Sequence, residues 1–213
     1  MFTESRREFL LRWYLYRWRK RNRPWERAEF AFYRAMSRSP KRGLFLDLGA
    51  NVGLLTGKAL ELGKTVIAFE PDPEALQELR SRFGSHPDVQ IIPKAVGATA
   101  RNATLHQRAD GNTKWSSLEH RLELDGDTHQ IEVVDLVSFI QNLDCPVSVL
   151  KMDIEGSEIE CVEAILDAGL HQSIGMMLVE THERFSPDLA QQTARLRKRV
   201  ADEHITNIDF EWV

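Results

Sequence analysis

Two apolar runs in the second half of the chain end abruptly in side chains that can do chemistry. Val147–Met152 runs into Asp153, and Gly175–Val179 runs into Glu180, Thr181 and His182. If the runs are neighbouring strands, Asp153, Glu180 and His182 meet at one end of a sheet. Such a group can hold a divalent cation such as Mg²⁺, with Asp153 and Glu180 as the oxygen ligands. Alternatively, His182 can serve as a base. The plain structural alternative is that Glu180 and His182 are solvated loop residues. Asp153 opens the stretch Asp153-Ile154-Glu155-Gly156-Ser157-Glu158. Ser157 and Glu160 match a capping box, which assigns part of it to a helix start. Asp153 and Glu155 precede that cap and are left unexplained by it.

A second group lies nearer the amino end. Leu46-Asp47-Leu48-Gly49-Ala50-Asn51-Val52-Gly53 sits where an apolar run turns into a helical pattern. Gly49 and Gly53 let the backbone approach a ligand closely. The spacing is not GxGxxG, so a pyrophosphate is not indicated. Asp47 would repel a pyrophosphate but suits a ligand carrying an ammonium group. Phe69-Glu70-Pro71-Asp72 closes the next apolar run. Glu70 comes about twenty residues after Gly49, where an acidic side chain meets ribose hydroxyls in nucleotide-binding sheets. The small residues of Lys94-Ala95-Val96-Gly97 can flank a purine or simply form a loop.

The elements that must carry these residues alternate. Leu44–Leu48, Thr65–Phe69, Val89–Ile92, Val147–Met152, Gly175–Val179 and Ile205–Trp212 read as strands. Leu54–Leu62, Pro73–Phe83, Glu158–Ala168 and Pro187–Glu203 read as helices, with Gly84 as a stop signal. Alternation of this kind predicts a mostly parallel sheet with helices on both faces. Ligands of such sheets bind at the carboxyl ends of the strands. Residues 98–134 break the rhythm. Ala103–His106 and Gln130–Val134 are expected to pair within an insertion.

Charge divides the chain in two. Residues 1–42 hold thirteen arginines and lysines against four glutamates, a net of +9; with −4 overall, the rest carries −13. This segment reads as a helical arm broken at Pro24, with a linker at 39–43 before a domain spanning 43–213. Its arginines, with Trp13, Trp18 and Trp25, suit an acidic membrane surface or nucleic acid. The favoured alternative is that its aromatic residues pack on protein, as a lid or a contact between copies. Nucleic acid is the less favoured partner. Cys145 and Cys161 form no metal or disulfide pattern, and no run reaches the roughly 18 apolar residues of a membrane span. A cytoplasmic setting is expected.

Taken in order, FLDLGANVGLLT at 45–56, AFEPDP at 68–73, KAVG at 94–97, Ser116-Ser117-Leu118, IEVVDLVSFI at 131–140 and LKMDIEGSE at 150–158 resemble the FkbM-type methyltransferases. The resemblance implies a Rossmann-like class I α/β fold that binds S-adenosylmethionine (SAM). It also implies O-methylation of a hydroxyl on a sugar or natural-product acceptor. By the same resemblance, Asp47, Gly49 and Asn51 line the methionine part of SAM, Glu70 holds the ribose, and Asp153 faces the sulfonium. Gly53, Asp72 and Ala95 complete the expected cofactor set; Asp153, His182 and Glu180 are the expected catalytic residues. The wider class finishes with a pair of antiparallel strands, whereas only Ile205–Trp212 is legible here. A nicotinamide oxidoreductase is disfavoured by the missing GxGxxG. A non-catalytic binding protein, docking through the basic arm, is the rival of a different kind.

Overall fold

The structure, a computed structural model, describes residues 24–106 and 128–212. The helical reading from residue 5 to 23 and the Ser116–Leu118 motif lie outside the described residues.

Helix α1 (Pro24–Arg38) leads into strand β1 (Leu44–Leu48). There follow α2 (Leu54–Glu61), β2 (Thr65–Phe69), α3 (Pro73–Phe83) and β3 (Val89–Ile92). Three more strands come next: β4 (Ala95–Gly97), β5 (Arg101–His106) and β6 (Thr128–Asp135). The chain continues through α4 (Leu136–Gln141), β7 (Val147–Met152), α5 (Glu158–Asp167), β8 (Met177–Glu180), α6 (Pro187–Asp202) and β9 (Ile208–Trp212). Proline opens α1, α3 and α6, where its missing N–H costs nothing.

Six strands form one sheet in the order β3-β2-β1-β7-β8-β9. Every neighbouring pair in it is parallel. The chain therefore winds outward from β1 to β3, returns across β1, and winds outward again from β7 to β9. This is the doubly wound order of a Rossmann-like sheet, with its switch point between β1 and β7. The last strand begins at Ile208 rather than Ile205, and it runs parallel to β8. The insertion forms a second sheet in the order β4-β6-β5. The two expected strands do pair there: β5 and β6 run antiparallel, with Ala103 opposite Ile131.

Side-chain alternation sends the two faces of the main sheet to different helices. Leu44, Leu46 and Leu48 of β1 pack with Leu136 and Ile140 of α4, Val162 and Ile165 of α5, and Leu196 of α6. Phe45 of β1 faces the other way, against Phe32 of α1, Ala59 of α2 and Leu79 of α3. The Phe32 ring meets Phe45 edge-on at 5.7 Å and lies 6.4 Å from the ring of Trp212. The second half of the segment expected as an arm is thus part of the hydrophobic core in the described structure. Asp47 points to the same side as Phe45, and this is why it meets Thr56 of α2.

Candidate active site at the sheet switch point

The loop after β1 is stitched to its neighbours by main-chain hydrogen bonds. The N–H groups of Gly49 and Ala50 both donate to Phe69 O at the end of β2, at 3.1 and 2.9 Å. Asp153 N donates to Leu48 O across to β7 at 3.2 Å. Gly49 has φ +75°, and a β-carbon there would lie 1.8 Å from Asp153 O. Only glycine allows the β1 and β7 loops to approach this closely. Asn51 is also left-handed, at φ 50°, a conformation its short amide tolerates. Its Oδ1 accepts from Val52 N at 2.8 Å. Gly53 likewise takes φ +80°, with Leu79 and Phe83 against the position a β-carbon would fill.

Glu70 is buried where β2 ends. Its Oε2 accepts from Asn51 N at 2.6 Å and its Oε1 from Asp72 N at 2.9 Å. Burial pushes its pKa up to about 7, and the two N–H donors pull it only part of the way back. Each oxygen keeps a second lone pair, so the carboxylate can still accept from two vicinal hydroxyls. Asp72 has a role in the fold: its Oδ1 caps α3, accepting from Glu74 N and Ala75 N. Ala95 packs with Leu105, Ile131 and Val133 in the core of the small sheet. A groove of about 540 Å³ borders this region, lined in part by Pro71, Pro73, Pro93, Asn102, Gln130 and Glu132.

Asp47 is fully buried, its Oδ2 accepting from Thr56 Oγ1 at 2.8 Å. Opposite it in register stands Lys151 of β7. The Lys151 Nζ donates to Gly49 O at 2.6 Å and to Leu48 O at 3.3 Å. It lies 3.4 Å from Asp153 Oδ2 and 3.8 Å from Asp47 Oδ1. Burial lowers the lysine pKa, but the charges of Asp153 and Asp47 more than reverse this and keep the ammonium protonated. Sequence reasoning did not single out Lys151. One signal was available: a lone lysine inside an apolar strand must be buried, and a buried cation needs partners.

Asp153, Glu180 and His182 do come together. The imidazole of His182 is buried, and its Nε2 lies 3.8 Å from Glu180 Oε1 and 3.9 Å from Asp153 Oδ1. Two further carboxylates are closer. Glu155 Oε2 is 3.2 Å from Nε2, and Glu158 Oε1 is 3.1 Å from Nδ1. Burial lowers the imidazole pKa, but the contacts with Glu155 and Glu158 outweigh it and push the pKa up to about 10. Among the described residues, Asp153, Glu155 and His182 offer ligand atoms within 4.8 Å of one another, a set able to hold a metal ion. Glu180 Oε1 instead has Arg184 as a second neighbour, at 3.4 Å.

The capping box expected from Ser157 and Glu160 does not form. Ser157 makes no side-chain cap, and Glu160 is paired with Arg101 at 3.5 Å. The loop is held by Glu158, whose Oε1 accepts from Ile154 N at 2.8 Å and Oε2 from Gly156 N at 2.9 Å. Folding back on this carboxylate leaves Glu155 at φ 58° and Gly156 at φ 122°. Glu158 thus sets the loop and the orientation of the imidazole together.

The model of one family, described as the methyltransferase FkbM domain, matches residues 47–205. Among solved structures, a candidate rRNA-methylase from Clostridium thermocellum is similar, with a TM-score of 0.48 and 10% identity, over 81% of this chain and 79% of that one. A precorrin-6y C5,15-methyltransferase from Geobacter metallireducens has a TM-score of 0.43 and 10% identity, over 79% and 69%. A TehB-like SAM-dependent methyltransferase from Corynebacterium glutamicum has a TM-score of 0.40 and 15% identity, over 86% and 80%. No curated protein matches the chain. No helix among the described residues is long and apolar enough to cross a membrane.

Proposed function

The chain belongs to the FkbM methyltransferase family, and we propose that it transfers the methyl group of SAM to a hydroxyl oxygen of a small-molecule or glycan acceptor. The observation that carries this reading is the juxtaposition at the switch point. The Gly49–Gly53 loop and Glu70 stand on one side of it, and the carboxylate and imidazole cluster around Asp153 on the other.

The residues present fit the cofactor. Asp47 is a buried carboxylate whose Oδ1 accepts no hydrogen bond from the described residues, and Glu70 keeps acceptor capacity for the ribose. Asp47, Gly49 and Asn51 would hold the amino-acid end. The groove beside Pro71 and Pro93, whose lining also includes the polar side chains of Asn102 and Gln130, is the space available for the base. When bound, SAM supplies a methyl group already activated by its sulfonium, so the protein has chiefly to align acceptor and methyl.

An alcohol needs help to lose its proton. Glu180 is placed to take it. Burial, together with the Asp153 charge, raises its pKa and makes it the stronger base. Asp153 keeps a more open side chain than Glu155 or Glu180, and so is the carboxylate best placed to meet the acceptor. His182, held between Glu155 and Glu158, offsets their charge as an imidazolium. In the alternative state, with the imidazole neutral, Asp153, Glu155 and His182 would hold a divalent cation that takes the place of the proton, with Glu180 beside them. Such a cation supplies a Lewis acid that lowers the pKa of a bound hydroxyl. The basic first residues contribute to acceptor access or association between copies rather than to chemistry.

The test is methyl transfer from isotopically labelled SAM to a panel of hydroxylated sugars and polyketide-type alcohols. Label recovered in an alkali-stable ether supports the reading. Label in an ester or on nitrogen, with no ether formed, contradicts it. Loss of turnover with EDTA and rescue by Mg²⁺ or Mn²⁺ supports the cation; turnover indifferent to both removes it.

A further inference from the structure

We infer that Lys151 is a positioning residue that locks the cofactor loop to the carboxylate at the reacting end of the site. The inference rests on the reading above, in which the Gly49–Gly53 loop holds SAM. Lys151 is the one charged residue of strand β7 and is 4% exposed. A cation buried this deeply needs close partners to offset its lost hydration. Neutralising Asp47 is the obvious explanation, and the distances speak against it. Asp47 Oδ1 is the most distant of the four partners, at 3.8 Å, and the nearest hydrogen bond to that carboxylate comes from Thr56.

The short contact goes to the loop instead, with Gly49 O at 2.6 Å. Leu48 O follows at 3.3 Å and Asp153 Oδ2 at 3.4 Å. An ammonium is compact and has three donors to share among the three oxygens. Two of these belong to the chain entering the cofactor loop. The third belongs to the side chain of Asp153. By engaging Oδ2, Lys151 leaves Asp153 Oδ1 as the oxygen turned toward His182. The contact of Gly49 with the Asp153 main chain is already too close for a β-carbon, so little else fits between the two loops. The ammonium therefore fixes two things at once: the height of the cofactor loop and the facing of the carboxylate.

The comparison that isolates this role is D47N against D47N/K151M. The first change removes the charge that Lys151 would otherwise balance, so the second leaves no unpaired Asp47 carboxylate behind. Two quantities are read: S-adenosylhomocysteine affinity by calorimetry, and amide hydrogen exchange in residues 49–53 and 153–156. The double variant is expected to bind at least about tenfold more weakly than D47N, the loss typical of one hydrogen bond to a charged group. Exchange should accelerate in both segments together, with strands β1 and β7 still protected. Unchanged exchange in either segment overturns the inference. So does a uniform rise through both strands, which would make Lys151 a core stabiliser and nothing more. Failure of the unaltered protein to bind S-adenosylhomocysteine would sink the cofactor reading, whereas the exchange comparison would still decide the role of Lys151.

Discussion

The Nδ1 atom of His182 lies 3.1 Å from Oε1 of Glu158, and both side chains are almost wholly buried. The same Glu158 oxygen accepts from Ile154 N. One carboxylate therefore orients the ring and shapes the loop that carries Asp153 and Glu155. Glu158→Gln is expected to lower the stability of the protein by about 1.5–3 kcal/mol, the usual scale for hydrogen bonds to a charged group. It should also weaken Mn²⁺ binding by about 10–100-fold, as loss of a partner behind a metal ligand typically does. Denaturant unfolding and calorimetry with Mn²⁺ measure the two effects.

Glu70 predicts a pH dependence whose sign is fixed by its raised pKa. In the folded protein burial pushes the carboxyl up to about 7, from an ordinary glutamate value of 4.5. Its contribution to stability is thus fully present below 4.5 and is lost as pH rises through about 7. Ribose hydroxyls donate to the ionised form, so S-adenosylhomocysteine affinity should increase between pH 6 and pH 8. Calorimetry across that range should show the slope in the native protein and a flatter profile in Glu70→Gln.

Gly49→Ala sets a β-carbon 1.8 Å from Asp153 O in a backbone at φ +75°. The conformation alone costs about 1–3 kcal/mol for a residue with a side chain. The clash forces the β1 and β7 loops apart as well. Expected outcomes are a lowered midpoint in thermal unfolding and no measurable S-adenosylhomocysteine binding. A variant that binds like the native protein would show that the loop contact is dispensable.

Phe32 tests whether α1 is a detachable arm. It is 1% exposed and packs on Phe45 and Trp212. Phe32→Ala should destabilise the protein by about 3–5 kcal/mol, as for other buried aromatic residues cut to alanine. Removing residues 1–38 should be worse still, because it takes away the whole of α1 with Phe32. Denaturant unfolding of the three proteins gives the order directly.

Much of this arrangement is legible in the sequence because it is local. The apolar run that holds Asp47 and the runs that lead into Glu70, Asp153 and Glu180 announce strands, and a parallel sheet gathers their carboxyl ends on one edge. What is hidden depends on pairings between distant segments. Lys151 is visible as an oddity, but the register that sets it opposite Asp47 is not. Ser157 and Glu160 fit a capping pattern, yet the loop N–H groups of Ile154 and Gly156 donate to Glu158, whose carboxylate also meets the buried His182. Asp72 is read as a ligand residue beside Glu70; its place before Pro73 also makes it a helix cap, which depends on the helix that follows. The break at Pro24 marks where α1 begins; that Phe32 then meets Trp212, from the far end of the chain, could be learned only from the fold.

The central claim is that the loop after β1 and the carboxylate after β2 form a SAM site, and equilibrium binding tests it most directly. Calorimetry of the native protein with SAM and S-adenosylhomocysteine should show one site per chain. Glu70→Ala, still folded, should bind more weakly by about 1.5–3 kcal/mol, the usual loss of hydrogen bonds to a charged group. A folded native protein that binds neither compound would contradict the account, as would a Glu70→Ala variant with native affinity.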